Sequence, residues 1–152
     1  MISLKDAARF HGHLGPYLIL GIQAGELALK ELKCKKYFGL EVKVRGADKK
    51  PRSCLVDGLQ LSTGVTYGKG NIKRMEGTKI QILFRNLKNN KAISIYLKKD
   101  LIKRLNSLKG HNDSEVFAKA LYNTDPLKIF NLIPKAQHLR PNTYSLKCLS
   151  QV

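Results

Sequence analysis

The stretch that decides the fold is FHGHLGPYLILGIQAGELALKEL, residues 10–32. Gly12 and Gly15 interrupt helical structure, and Pro16 then stands at the first position of a new helix, where a missing N–H costs nothing. From residue 17 to about residue 33 the apolar side chains recur at helical spacing. Before this stretch, Ser3 resembles the N-cap of a short helix that runs to Phe10. The sequence therefore predicts two successive helices separated by a short segment that carries two histidines.

Two glycines four residues apart, Gly21 and Gly25, leave a smooth ridge on the second of these helices. A ridge without side chains allows another element to approach closely. We expect this element to be a sheet, and a ligand at the ridge is the alternative.

Outward from this stretch, the pattern predicts further helices and strands. Leu40, Val42 and Val44 alternate with charged residues, which is typical of a half-buried strand. A helix is expected from Ser53, two more strands from the alternation at 80–84 and 92–97, and a hairpin turn at LKNNK between them, because Asn tolerates a positive φ. The chain should end in helices over 98–109, 114–123 (from Ser114) and 126–132 (from Asp125-Pro126), followed by a polar, basic tail to residue 152. This order predicts one α+β domain over residues 1–152, with a mixed sheet flanked by helices.

The composition narrows the class of protein. The chain has 152 residues, of which 43% are hydrophobic, so it can form a core and is not a disordered sequence. No apolar run is long enough to span a membrane, and the first residues lack the apolar region of a secretory signal, so we expect a cytoplasmic protein without membrane contact. Three cysteines without a CxxC pair argue against a disulfide framework and a zinc ribbon.

The net charge of +17 is extreme for one domain and predicts an acidic or anionic partner. Nucleic acid is the first candidate for such a partner. The basic residues are, however, spread along the chain, and no basic stretch is interleaved with stacking aromatics. We therefore expect a lysine-rich solvated surface, and nucleic-acid binding is the less favoured interpretation.

Three short segments carry residues that could bind a ligand or take part in catalysis. His11 and His13 point the same way if their segment is extended, so both imidazoles could bind one ion. The start of the following helix favours an anion instead. The alternative is that one histidine caps a helix and the other is exposed to solvent.

Cys54 and Asp57 lie three residues apart near a helix start and face one side. There the helix dipole is expected to lower the thiol pKa, so that a thiolate could act as ligand or nucleophile. The alternative is a buried, inert cysteine. In the loop at residues 62–71, hydroxyls, glycines and Lys69 could wrap a small anionic ligand, although the spacing is not that of a P-loop. A tight turn without a ligand explains the loop composition equally well.

Together these segments resemble the FmdE family, whose members are associated with formylmethanofuran dehydrogenase. FHGHLGPYLILGIQA is similar to the family pattern FHGHLCPGLALGYRA, and SCLVDGLQLSTGVTYGKGN is similar to CxxDAIQxLTGCTxGKGN. The two signature blocks are residues 10–32 and 53–71, and a weaker match extends to about residue 100. Gly15 and Val65 stand where the family pattern has cysteines, and no CxxC pair of a C-terminal zinc finger is present.

The resemblance implies a thioredoxin-like α+β core with about five strands, a homodimer, and an association with formylmethanofuran dehydrogenase. It carries over His11, His13 and Cys54 as ligands of a divalent metal, with zinc favoured. The residues expected to contact a ligand or substrate around that metal are Asp57, Thr66, Tyr67, Lys69 and Asn71.

Two functions follow with equal weight. The first is a metal site whose open position would support hydrolysis or transfer. The second is a non-catalytic accessory or cofactor carrier that docks on an acidic protein complex.

Overall fold

The computed structural model describes residues 2–135, so the basic tail beyond residue 135 and Cys148 lie outside the described residues. The helices are α1 (Leu4–His11), α2 (Pro16–Glu31), α3 (Cys54–Thr63), α4 (Lys99–Ser107), α5 (Gly110–Tyr122) and α6 (Pro126–Ile129). The strands are β1 (Leu40–Arg45), β2 (Ile72–Met75), β3 (Gln81–Asn86), β4 (Ala92–Leu97) and β5 (Phe130–Lys135). Within the described range, no helix is both long and apolar enough to cross a bilayer.

The sheet is mixed and five-stranded, in the order β2-β1-β3-β4-β5. The β1–β2 pair is parallel and is connected through α3, whereas the other three pairs are antiparallel. The predicted α+β class and mixed sheet are confirmed, and the thioredoxin-like arrangement stays a prediction. The hairpin between β3 and β4 turns as expected, with Asn90 at a φ of +58°.

The predicted start signals of the first two helices are confirmed. Ser3 caps α1 by accepting a hydrogen bond from the backbone N–H of Asp6 at 3.1 Å, and Pro16 occupies the first turn of α2. α2 lies in the middle of the domain, because its apolar residues on several sides are fully buried. These core residues include Leu18, Ile19, Leu20 and Ile22.

The glycine ridge of α2 packs against a helix, so the expected contact with a sheet is wrong. A Cβ added to Gly21 would lie 2.1 Å from the carbonyl oxygen of Leu55, and one added to Gly58 would lie 2.1 Å from that of Leu18. The two backbones therefore approach so closely that neither position has room for a side chain. This crossing sets where α3 begins, and α3 carries Cys54 and Asp57.

The structure corrects three expectations about the elements after α3. α5 begins at Gly110, and Ser114 donates its hydroxyl back to the Gly110 carbonyl at 2.9 Å instead of starting the helix. The helix expected over 126–132 ends at Ile129, and β5 then pairs with the edge of β4. The chain also has the strand β2, which no alternation predicted because its residues 73–75 are all exposed.

Candidate functional site

The two histidines lie on the connection between α1 and α2. His11 is the last residue of α1, and Gly12 ends that helix with a φ of +92°, donating its N–H to the Ala8 carbonyl at 2.8 Å. This left-handed conformation is favourable for glycine and strained for other residues. The turn brings His11 to α3 and leaves His13 at the surface.

His11 forms a hydrogen bond with Asp57 across 46 positions of sequence. Its Nδ1 lies 2.8 Å from Oδ2 of Asp57, and the imidazole side chain is only 10% exposed. Because an ionised carboxylate can only accept, Nδ1 is the donor in this bond. His11 Nε2 is buried and has no hydrogen-bond partner among the described residues. In the neutral imidazole this atom carries a lone pair, so the side chain presents an unused acceptor or ligand.

His13 is exposed and connects two other imidazoles. Its ring centroid lies 4.7 Å from that of His11 and 5.5 Å from that of His111, at the start of α5. Partial burial is the largest cause that lowers the pKa of His13, and the positive charges that its two neighbours would carry lower it further. A neutral imidazole, which can bind a metal, is therefore favoured at this position.

A cleft of about 280 Å³ lies beside these rings. The starts of α2 and α5 form its walls, and Cys54 lies in its lining with His13, Tyr17, His111 and Ser114. His111 was missed by the sequence analysis, because a single histidine near a polar helix start has no local signal. Only the packing of α5 on α2 brings it to the HGH segment.

The pKa of the Cys54 thiol is shifted in the direction opposite to the one expected. Burial is the main cause that raises its pKa, and the negative charge of Asp57 raises it further. The expected net lowering of the pKa is wrong, because burial and Asp57 together outweigh the lowering effects of the Cys54 backbone N–H and of Lys50.

The predicted ligands do not converge as a ready-made set. Among residues 2–135, no group of three or more His, Cys, Asp or Glu side chains is arranged to hold a metal ion. His11 contacts His13 and Asp57, whereas Cys54 shares the cleft with His13. The structure therefore places the three predicted ligands in one neighbourhood without closing a coordination shell.

The loop before β2 is bonded to itself and to its neighbours. Lys69 donates its ammonium group to the carbonyls of Tyr37, at 2.9 Å, and Gly64. Asn71 accepts from the Thr66 N–H at 2.8 Å, and the Thr66 hydroxyl accepts from the Lys69 N–H at 3.2 Å. These contacts match the tight-turn alternative, and the role of this loop in binding a substrate stays a prediction.

Gln60 links this loop to the hydrogen-bonded pair of His11 and Asp57. Its amide donates to Asp57 Oδ1 at 3.5 Å and accepts from the N–H of Tyr67 at 3.3 Å. Sequence reasoning missed Gln60, although its position three residues after Asp57 on a helix puts both side chains on one face.

Comparison with known proteins identifies the family of this chain. The family profile described as "FmdE, Molybdenum formylmethanofuran dehydrogenase operon" matches residues 10–131, which include both signature blocks. The chain belongs to the FmdE family. The FmdE fold is also seen in the crystal structure of an FmdE-like protein, named for tungsten formylmethanofuran dehydrogenase, from Syntrophus aciditrophicus. That match has a TM-score of 0.63 at 18% identity and covers 91% of this chain and 71% of the other.

A curated relative of this chain is a longer protein. It is a probable S-adenosyl-L-methionine-binding protein from Archaeoglobus fulgidus, 26% identical over 105 residues. The match covers 66% of this chain but only 28% of the relative. The chain thus spans little more than a quarter of that protein.

Proposed function

We propose that this FmdE-family domain holds a divalent metal, with zinc favoured, at a site anchored by His11. One observation carries the proposal: Nε2 of His11 is buried without a partner while Asp57 holds the opposite nitrogen. A metal-bound histidine usually has its second nitrogen bonded to a carboxylate in this way, because the carboxylate fixes the tautomer and the ring orientation. A buried acceptor without a partner costs about 1–3 kcal/mol, and a cation at Nε2 would remove that cost.

His13 and Cys54 are the remaining ligands of this proposal. His13 is exposed, and its lowered pKa favours the neutral form that can bind a metal. The Cys54 thiol must lose its proton, which its raised pKa opposes. Because no closed ligand set exists among the described residues, metal binding requires these side chains to move. We therefore expect the affinity to rise with pH as the thiolate becomes accessible.

Elemental analysis of untagged protein tests the proposal. About one zinc per chain is expected from the single site, and His11→Ala and Cys54→Ser should each lose it. Cys34→Ser is the matched control, because Cys34 is the other free cysteine of the described range and should keep the metal. Asp57→Asn keeps the ligands but weakens their orientation, so it should bind zinc about 10–100-fold more weakly.

Two results would contradict this site. The first is full metal content in His11→Ala, which would separate the metal from the buried imidazole. The second is protein that takes up no zinc when it is added at neutral pH, although His11 and Asp57 are intact. That second result would favour the non-catalytic alternative.

The alternative is an accessory domain or cofactor carrier that docks on an acidic complex in formylmethanofuran dehydrogenase-type metabolism. The net charge of +17 supports it, as does the presence of Gly15 and Val65 at cysteine positions of the family pattern. Association with such a complex should weaken steeply with added salt. Binding that does not change between low and high salt would count against it.

Two further expectations belong to the same proposal. A homodimer, implied by the family resemblance, is to be tested by sedimentation equilibrium. Lys69 is expected to bind an anionic small molecule. Binding would require its ammonium group to leave the two carbonyls that it now contacts.

A further inference from the structure

Three exposed aromatic side chains lie on two chain segments that contact each other. They are Tyr37, Phe38 and Tyr67, which are 55%, 79% and 48% exposed. Tyr37 and Phe38 follow α2, and Tyr67 belongs to the loop before β2. We call these three residues the aromatic surface. Large apolar side chains exposed to this degree within one surface mark an interaction site.

Direct contacts hold the two segments of the aromatic surface together. The N–H of Tyr37 donates to the Thr63 carbonyl at 2.8 Å, and Lys69 donates to the Tyr37 carbonyl at 2.9 Å. The same ammonium lies 5.6 Å from the ring centroid of Phe38. The rings are therefore held on a bonded framework, so the loss of conformational entropy on binding is reduced.

Each ring has a cation close to its face. Lys36 lies 5.1 Å from the centroid of Tyr37, and Arg74 lies 5.9 Å from that of Tyr67. Segments 33–38 and 64–75 together contain six basic residues and no acidic one. These basic residues are Lys33, Lys35, Lys36, Lys69, Lys73 and Arg74.

We propose that the aromatic surface binds single-stranded nucleic acid. Unpaired bases stack on exposed rings, and cations beside the rings attract the phosphates between them. Lys36 beside Tyr37 and Arg74 beside Tyr67 offer this pairing, whereas the Lys69 ammonium near Phe38 is already bonded to two carbonyls. An acidic side chain would engage the cations but would not stack on a ring, whereas a base does. The sequence disfavoured nucleic acid because the rings and cations come from separate segments that only the fold brings together.

Fluorescence anisotropy with labelled oligouridine and oligodeoxythymidine of about 12 nucleotides tests the proposal, since one such domain covers about 4–16 nucleotides. Both strands should bind more tightly than a duplex of the same length. Phe38→Leu and Tyr67→Leu keep apolar area but remove the stacking ring, and each should weaken binding about tenfold to a hundredfold. Phe38→Trp should bind the oligonucleotides at least as tightly as the wild type does.

A charge-matched pair of variants separates local from diffuse attraction. Lys36→Gln with Arg74→Gln should reduce the slope of log affinity against log salt by about 1.4, or about 0.7 per lost phosphate contact. Lys103→Gln with Lys128→Gln removes the same charge from exposed positions on α4 and α6. This control should change the affinity by less than about twofold, because those charges do not contact the bound phosphates.

Three results would overturn the proposal. Wild-type affinity in both leucine variants would exclude stacking. An equal loss in the control pair would reduce the binding to non-specific attraction by the net charge. Polyglutamate could also displace the labelled oligonucleotide at equal charge concentration. If the leucine variants lose affinity for polyglutamate as strongly as for the oligonucleotide, the surface would be assigned to an acidic protein. His11→Ala should bind the oligonucleotide as the wild type does, so this result is independent of the metal site.

Discussion

The crossing of α2 and α3 leaves no room for a side chain at Gly58. In Gly58→Ala the new Cβ would lie 2.1 Å from the Leu18 carbonyl oxygen, 2.8 Å from the Ile22 nitrogen and 2.9 Å from the Gly21 Cα. All three atoms belong to backbone, so no side-chain rotation can relieve the contact. The two helices must separate by about 1 Å before the Cβ reaches an ordinary contact distance.

The magnitude follows from two opposing terms. Alanine is favoured over glycine in a helix by about 1 kcal/mol, which would stabilise the variant. Overpacking of a core costs about 1–3 kcal/mol, and it is larger where backbone must move. Because separating α2 from α3 loosens many contacts of the buried α2, we expect the free energy of unfolding to fall by about 3 kcal/mol.

Urea unfolding followed by circular dichroism measures this change. The midpoint should fall while the slope stays constant, as for a change in stability alone. Gly68→Ala is the control, because its Cβ would have only the Thr66 hydroxyl nearby, at 3.9 Å. Its stability should stay within about 1 kcal/mol of the wild type. A Gly58→Ala protein as stable as the wild type would refute the close helix crossing.

Three further predictions concern single contacts. Gly25→Ala would place a Cβ 2.1 Å from the Ser62 hydroxyl. In urea unfolding, the double variant with Ser62→Ala should therefore lose less free energy of unfolding than the two single variants lose together. Strict additivity of the two losses would contradict this contact. Lys69→Met should lower the free energy of unfolding by about 1.5–3 kcal/mol, because the charged donor to two carbonyls is lost. The control Lys128→Met should not lower it. Equal free energies of unfolding for the two variants would show that the Lys69 ammonium does not hold the loop. Burial raises the pKa of Tyr17 above its ordinary 10.0, so the stabilisation by its neutral form is present below pH 10 and is lost as the pH rises through the pKa of the folded state. Above pH 10 the melting temperature of Tyr17→Phe should therefore fall less steeply with pH than that of the wild type. Parallel curves of melting temperature against pH would argue against this burial.

Most helices and strands were predicted from the sequence because their signals are local. The Ser3 cap and the Pro16 start act within one helical turn, so neighbouring residues suffice to identify them. β1, β3 and β4 alternate because one face of each packs on the core. β2 and β5 were missed since both are edge strands, where one neighbouring strand decides the conformation and the alternation is weak.

The candidate site divides in the same way. The sequence alone pointed to the HGH segment and to Cys54 and Asp57 as the candidate site, and the family profile covers both segments. Tertiary packing brings His11 to Asp57 and His111 to His13, and burial raises the pKa of the Cys54 thiol. Rings and cations from separate segments also meet only in the fold. The physical reason is that caps and alternation act over a few residues, whereas these meetings depend on how closely α2, α3 and α5 pack.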